Sequence, residues 1–150
     1  MEVIEQTSDE LMEPVNELKM IVPEEQLTES EFREWIEDIE HRMMQYNSTD
    51  KTLSVGRHKS VEELNKVFPL KHTFTPGLYT RQIFMPAGSL VVSRIHMHEH
   101  PFIISQGRVS VYDGEKIVTY TAPYQGITKP GTKRILYNHT DVIWTTFHVS

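Results

Sequence analysis

Three histidines, His96, His98 and His100, occupy every second position of a short stretch, and in a strand alternate side chains share one face. Neutral imidazole suits Zn, Fe, Ni or Cu, and a facial set of three leaves coordination positions open for water or substrate. Two readings stand side by side: the three hold a metal, or they line a half-polar rim and hydrogen-bond to backbone. Pro101 follows at once, which predicts that the strand ends near His100 and tilts that residue off the shared face. Glu99 points the other way in a regular strand, as a surface carboxylate, or in a turn orients an imidazole as an acceptor. A second group lies downstream. Lys133 and Arg134, with Tyr137, have the chemistry to hold a carboxylate or phosphate, Arg as a planar fork and Lys as a mobile point charge; the alternative is solvated surface charge. His139 and His148 fall on a turn and a final strand, where the fold decides whether they join the first cluster. The chain has no cysteine, which removes disulfides, thiolate metal sites and thiol nucleophiles together. It also lacks a phosphate-cradling glycine loop, a serine nucleophile elbow and a zinc-protease helix motif.

The elements that must position these residues change character along the chain. Pro14 and Pro23 interrupt any helix in the first 27 residues. From Thr28 the pattern clears: Thr28 and Glu31 have capping-box spacing, and Phe32, Trp35, Ile36, Ile39 and Met43 follow at helical intervals. An amphipathic helix over 28–45 is expected, its apolar stripe packed against the rest of the chain or against another chain. A linker follows over 47–57, and Ser60 with Glu63 marks a short helix leading toward Pro69. Beyond Pro76-Gly77 short strands recur at 78–85, 90–96, 102–105, 108–112, 117–120, 124–127, 134–137 and 142–149. Asp113-Gly114 predicts a tight hairpin with positive φ at both central positions. About eight strands in so short a span fit a jelly roll or small barrel better than an open sheet with helices.

Charge divides the chain in two. Residues 1–50 hold 15 Asp and Glu against 3 Lys and Arg, whereas residues 51–150 hold 6 against 12, so a net of −6 conceals an acidic arm on a basic body. Such an arm contacts a partner, folds back on its own domain, or is simply a solvated helix. The basic body lacks the interleaved aromatics of a nucleic-acid motif. No run approaches the length of a membrane span, and Glu2 and Glu5 stand where a secretory leader carries positive charge, which predicts a cytoplasmic protein.

Over roughly its second half the chain resembles the cupins. In that family a first motif runs from Gly through two histidines one residue apart and a glutamate to a second Gly, and its ligands hold a metal at a barrel mouth. Here Pro86-Ala87-Gly88 opens the segment and Gly107 closes it, around His96, His98, Glu99 and His100. Counting back from Gly107 puts His100 in the glutamate's place, His96 in that of the second histidine and Arg94 in that of the first; matching the His96 and His98 pair instead shortens the following loop. Pro130-Gly131 and Asn138 resemble the second motif, with Arg134 where a fourth ligand stands in the family. A guanidinium stays protonated and ligates no metal. More narrowly, the sequence resembles compact cupin-like proteins encoded by bacteriophages.

The resemblance implies an all-β, cupin-type jelly-roll barrel of about eight short antiparallel strands after an α-helical N-terminal extension. It divides the chain into an acidic arm with its helix and linker over 1–58 and a short helix plus barrel over 59–150. The expected function is to bind a metal or small ligand at the barrel mouth, with the arm as tether. His96, His98 and His100 are the metal candidates and Arg134, Lys133, Tyr137, His139 and His148 the ligand contacts. The cofactor is then one divalent transition metal, Zn, Fe, Ni or Mn. Two alternatives remain: a metal-dependent oxygenase, isomerase or lyase with Arg134 anchoring an anionic substrate, and a structural or virion-associated protein. Sheet edges and the helix stripe need covering, which predicts a homo-oligomer or a protein partner through residues 1–50, in the host cytoplasm if phage-encoded.

Overall fold

A computed structural model describes residues 18–19, 21–46, 53–55, 66–93, 97–131 and 133–150. The helix α1 (Glu29–Tyr46) begins where the capping box places it. The Thr28 amide donates to Glu31 Oε1 at 2.9 Å and the Glu31 amide donates to Thr28 Oγ1 at 3.2 Å, so two amides at the helix start are satisfied reciprocally. The short helix expected before Pro69 lies outside the described residues except for Lys66 and Val67.

Ten strands follow among the described residues: β1 (Leu53–Val55), β2 (Leu70–Thr75), β3 (Leu78–Met85), β4 (Leu90–Val92), β5 (His100–Gln106), β6 (Arg108–Tyr112), β7 (Ile117–Thr121), β8 (Tyr124–Thr128), β9 (Ile135–Asn138) and β10 (Val142–Val149). They form two sheets of five, ordered β1-β4-β9-β6-β7, here sheet A, and β2-β3-β10-β5-β8, sheet B. The expected jelly-roll barrel is not what forms. β1 and β7 rim sheet A, β2 and β8 rim sheet B, and no ladder joins one sheet to the other, so neither closes. Turn spacing gives the number of strands approximately; whether a first and last strand meet is a long-range matter with no local signature. The pairing is not wholly antiparallel either. β1 falls in the stretch expected to be a linker and pairs in parallel with β4, Leu53 opposite Leu90.

The layers are held by two clusters on opposite faces of sheet A. Between the sheets, Val109, Val111 and Leu136 of sheet A meet Met85, Phe102, Ile104, Val142 and Trp144 of sheet B. On the outer face of sheet A, Phe32, Ile36 and Met43 of α1 cover Val92, Tyr112 and Ile135. The helix stripe is thus buried on the chain's own sheet. Trp35 and Phe32 both set their rings edge-on to Tyr112, at 5.4 and 5.6 Å. The Asp113-Gly114 connection differs from the tight turn expected. Gly114 alone has positive φ, +101°, and the loop runs from Tyr112 to Ile117 with Asp113 Oδ1 accepting the amides of Glu115 and Lys116. A Cβ at Gly114 would sit 2.9 Å from the Phe32 ring, so glycine here serves the helix contact as much as the turn.

Candidate functional site

The inner face of sheet B changes from apolar to polar along its strands. Ile83, Trp144 and Ile104 lie in register, and two residues further on come Arg81, Thr146 and Phe102. Two more residues bring a row across all five strands: Phe74 opposite Tyr79, Tyr79 opposite His148, His100 opposite Thr128. Rings lean on one another along this row. Phe74 and Tyr79 stack at 4.8 Å, Tyr79 and His148 at 5.5 Å, and His148 meets His100 at 4.5 Å. The row runs from buried Thr128 and His100 to Phe74, which is 73% exposed. This end of the sandwich is therefore open at its β2 side.

Hydrogen bonding fixes the state of its histidines. His100 Nδ1–H donates to the His98 carbonyl at 3.1 Å, since a carbonyl can only accept. Thr146 gives its single hydrogen to the Arg81 carbonyl, so His148 Nε2–H must be the donor to Thr146 Oγ1 at 2.9 Å. Burial lowers the His148 pKa, and His100 and Arg81 lower it further, which keeps the ring neutral at pH 7. His72 Nδ1 and the Tyr79 hydroxyl lie 2.7 Å apart at the outer end of the row.

Arg134 approaches from sheet A. The turn joining β9 to β10 is one end of both sheets; Arg134 stands four residues before Asn138 and Thr146 four residues after Val142, about 13 Å along either strand. Both therefore belong to the far, polar end. The Arg134 guanidinium lies over the Trp144 ring with its carbon 5.8 Å from the ring centre. Its Nε is buried with no hydrogen-bond partner, and no carboxylate of the described residues pairs with it. Burial lowers its pKa while Tyr120 and Asp113 oppose the shift; the group remains a cation.

The other expected site residues are dispersed. Lys133 makes a close ion pair with Glu40 of α1, whose side chain is 7% exposed, and so ties helix to sheet instead of meeting a ligand. Tyr137 packs with the cluster under α1, and His139 sets its ring against Tyr137 at 5.1 Å on that same side. Of the five expected ligand contacts, Arg134 and His148 alone face the polar end between the sheets. The expected His96, His98 and His100 cluster falls only partly within the described residues. His96 lies outside the described residues, His98 is exposed in a bend before β5, and among the described residues no group of three His, Asp or Glu side chains is placed to hold a metal. Alternation requires a strand, and β5 begins at His100, with Pro101 its second residue and not its terminator. Glu99 is a surface carboxylate, paired with Lys129 at 2.7 Å.

Tyr79 and Arg81 were not singled out in the sequence, although a signal exists: they alternate with Ile83 and Met85 and so carry polar groups onto an apolar face. One further pair resembles a catalytic one. Ser110 Oγ lies 2.7 Å from His139 Nε2, but Ser110 has no exposed surface and cannot meet a substrate. Burial, helped by Arg108, lowers the His139 pKa to about 4. Above pH 6.5 both folded and unfolded chains hold this imidazole neutral, and below that the unfolded chain takes a proton that the folded one refuses until about pH 4. Stability is therefore expected to fall across that window, and denaturant midpoints at successive pH values should decline less steeply in His139→Gln than in the parent.

No described helix is long and apolar enough to cross a membrane. No family model matches the chain, and no curated protein matches it. Solved structures are similar over part of it. An RmlC-like cupin from Shewanella frigidimarina shares 17% identity over 65% of this chain and 88% of its own, with a TM-score of 0.49. A conserved protein of unknown function from Streptococcus pyogenes shares 10% over 67% and 84%, at 0.46. An acetylacetone dioxygenase from Acinetobacter johnsonii shares 21% over 55% and 58%, at 0.44. The bacteriophage setting finds no support in these comparisons. The chain is distantly similar to cupin structures, and likeness at this level assigns it neither to a family nor to an activity.

Proposed function

We propose that the protein is a binding module for a small anion carrying a carboxylate or phosphate, taken up at the polar end between the sheets. The observation that carries this reading is Arg134: a guanidinium held between the layers, stacked on Trp144, with a buried Nε that has no acceptor. A buried charge without a counterion costs several kcal/mol, roughly, and an arriving anion would remove that penalty. Arg81 lies at the same end on sheet B, in register with Thr146.

Isothermal titration of the full chain with inorganic phosphate, sulfate and short mono- and dicarboxylates tests it. Saturable binding of at least one probe is expected, weakening as salt is added. Arg134→Met should lose that binding by tenfold or more, about 1.4 kcal/mol, while the thermal midpoint of the ligand-free protein does not fall. An arginine serving only the fold would give the opposite pattern. A folded parent protein that binds none of these probes sinks the proposal.

A further inference from the structure

We propose that the outer face of sheet B is the surface through which two copies of this chain associate. The two sheets are treated unequally. The outer face of sheet A lies under α1, whereas among the described residues no layer covers the outer face of sheet B. Along β3, β10, β5 and β8 every outward position is uncharged, in a chain of which 24% is charged. Phe84, Ile143, Phe147 and Ile103 contribute partly buried apolar surface there. Leu78, Ile127 and Val149 stand clear of the protein at 41%, 60% and 92% exposure. The charges closest to it stand at its rim: Lys71 on the edge strand β2, and Glu99, paired with Lys129, just before β5.

Chemistry selects the occupant. The centre of an association surface is depleted of charged residues, and a partner bearing charge there would lose its hydration with nothing opposite to replace it. Residues 1–17 hold six Asp and Glu and no Lys or Arg, so the chain's own acidic segment is a poor match. A second copy presents the same face, equally free of charge, and a two-fold axis sets each against the other. Four strands about 4.8 Å apart and roughly 25 Å long give a flat footprint of about 500 Å², to which pleat and side chains add, against about 800 Å² per partner in a standard interface. A groove of about 550 Å³ lined by Glu99, Pro101, Gln125 and Ile127 gives the rim of this face a recess for protruding side chains of the other copy.

Sedimentation equilibrium of the full chain should report twice the 17.5 kDa chain mass. Phe147→Glu should yield monomer, with circular dichroism unchanged. Ile127→Lys, at a position too exposed to matter for the fold, should raise the dimer dissociation constant at least tenfold. A monomeric parent protein overturns the proposal, and so does a dimer that either folded variant leaves intact.

Discussion

Replacing Gly107 by alanine is expected to destabilise the protein by roughly 3 kcal/mol or more, a loss in the far tail of single substitutions. Gly107 joins β5 to β6 with φ at +96°, a conformation that alone costs an L-residue about 1 to 2 kcal/mol. The larger effect is steric. A Cβ there would lie 2.2 Å from the Asp141 carbonyl oxygen, 2.8 Å from Thr140 Oγ1 and 2.9 Å from a Val142 methyl, and a backbone carbonyl cannot swing aside as a long side chain can. Relief would require moving the turn that leads into β10. Gly88→Ala is the internal control: φ is +80° but nothing lies within 4 Å of the added carbon, so only the conformational cost applies. For a chain of this length about 3 kcal/mol corresponds to a thermal midpoint lowered by roughly 10 °C. Equal midpoints for the two variants would show that the turn yields.

Lys133→Met should be the more damaging half of a second pair of substitutions. Glu40 lies 7% exposed on the buried side of α1 and its partner Lys133 21% exposed, so removing the lysine strands a carboxylate that cannot reach water. Breaking such a pair on one side costs about 3 kcal/mol, whereas Glu40→Met leaves an ammonium on a flexible stem that can turn outward, and costs less. Replacing both with methionine should recover most of the loss, because an apolar contact between helix and sheet needs no counterion. Urea unfolding of the three variants measures this, and a double variant no more stable than Lys133→Met would show that the pair adds more than mutual neutralisation.

Features governed by local chemistry were legible in the sequence. Thr28 and Glu31 announced the start of α1 because a capping box is satisfied within four residues, and Phe32, Ile36 and Met43 showed its buried face. The hairpin strands β6 and β7 followed from Asp113-Gly114, although the loop proved wider, running from Tyr112 to Ile117. The strand β2 was hidden: Leu70 and Phe74 alternate with Lys71, Thr73 and Thr75, but His72 breaks the apolar series, and five of its six residues are exposed. Long-range pairing was hidden as well. His100 finds its neighbour in His148, across β5 and β10, and no spacing rule relates the two. Lys133 and Arg134 are adjacent in sequence yet face opposite sides of sheet A, one toward Glu40 and the other toward Trp144.

The place of β10 within sheet B bears on how the chain acquires its fold. This strand lies in the middle of its sheet, between β3 and β5, yet it follows every other strand in sequence. Before it arrives, β2 and β3 form one hairpin, β5 and β8 a separate pair, and each carries an unpaired inner edge. Inserting β10 satisfies both edges in a single event and brings Trp144 into the core. Until β10 has been synthesised, a polypeptide emerging from the ribosome can complete no more than two separate half-sheets of sheet B. Their open edges are the point at which another nascent chain could pair, and high contact order makes the closing step slow.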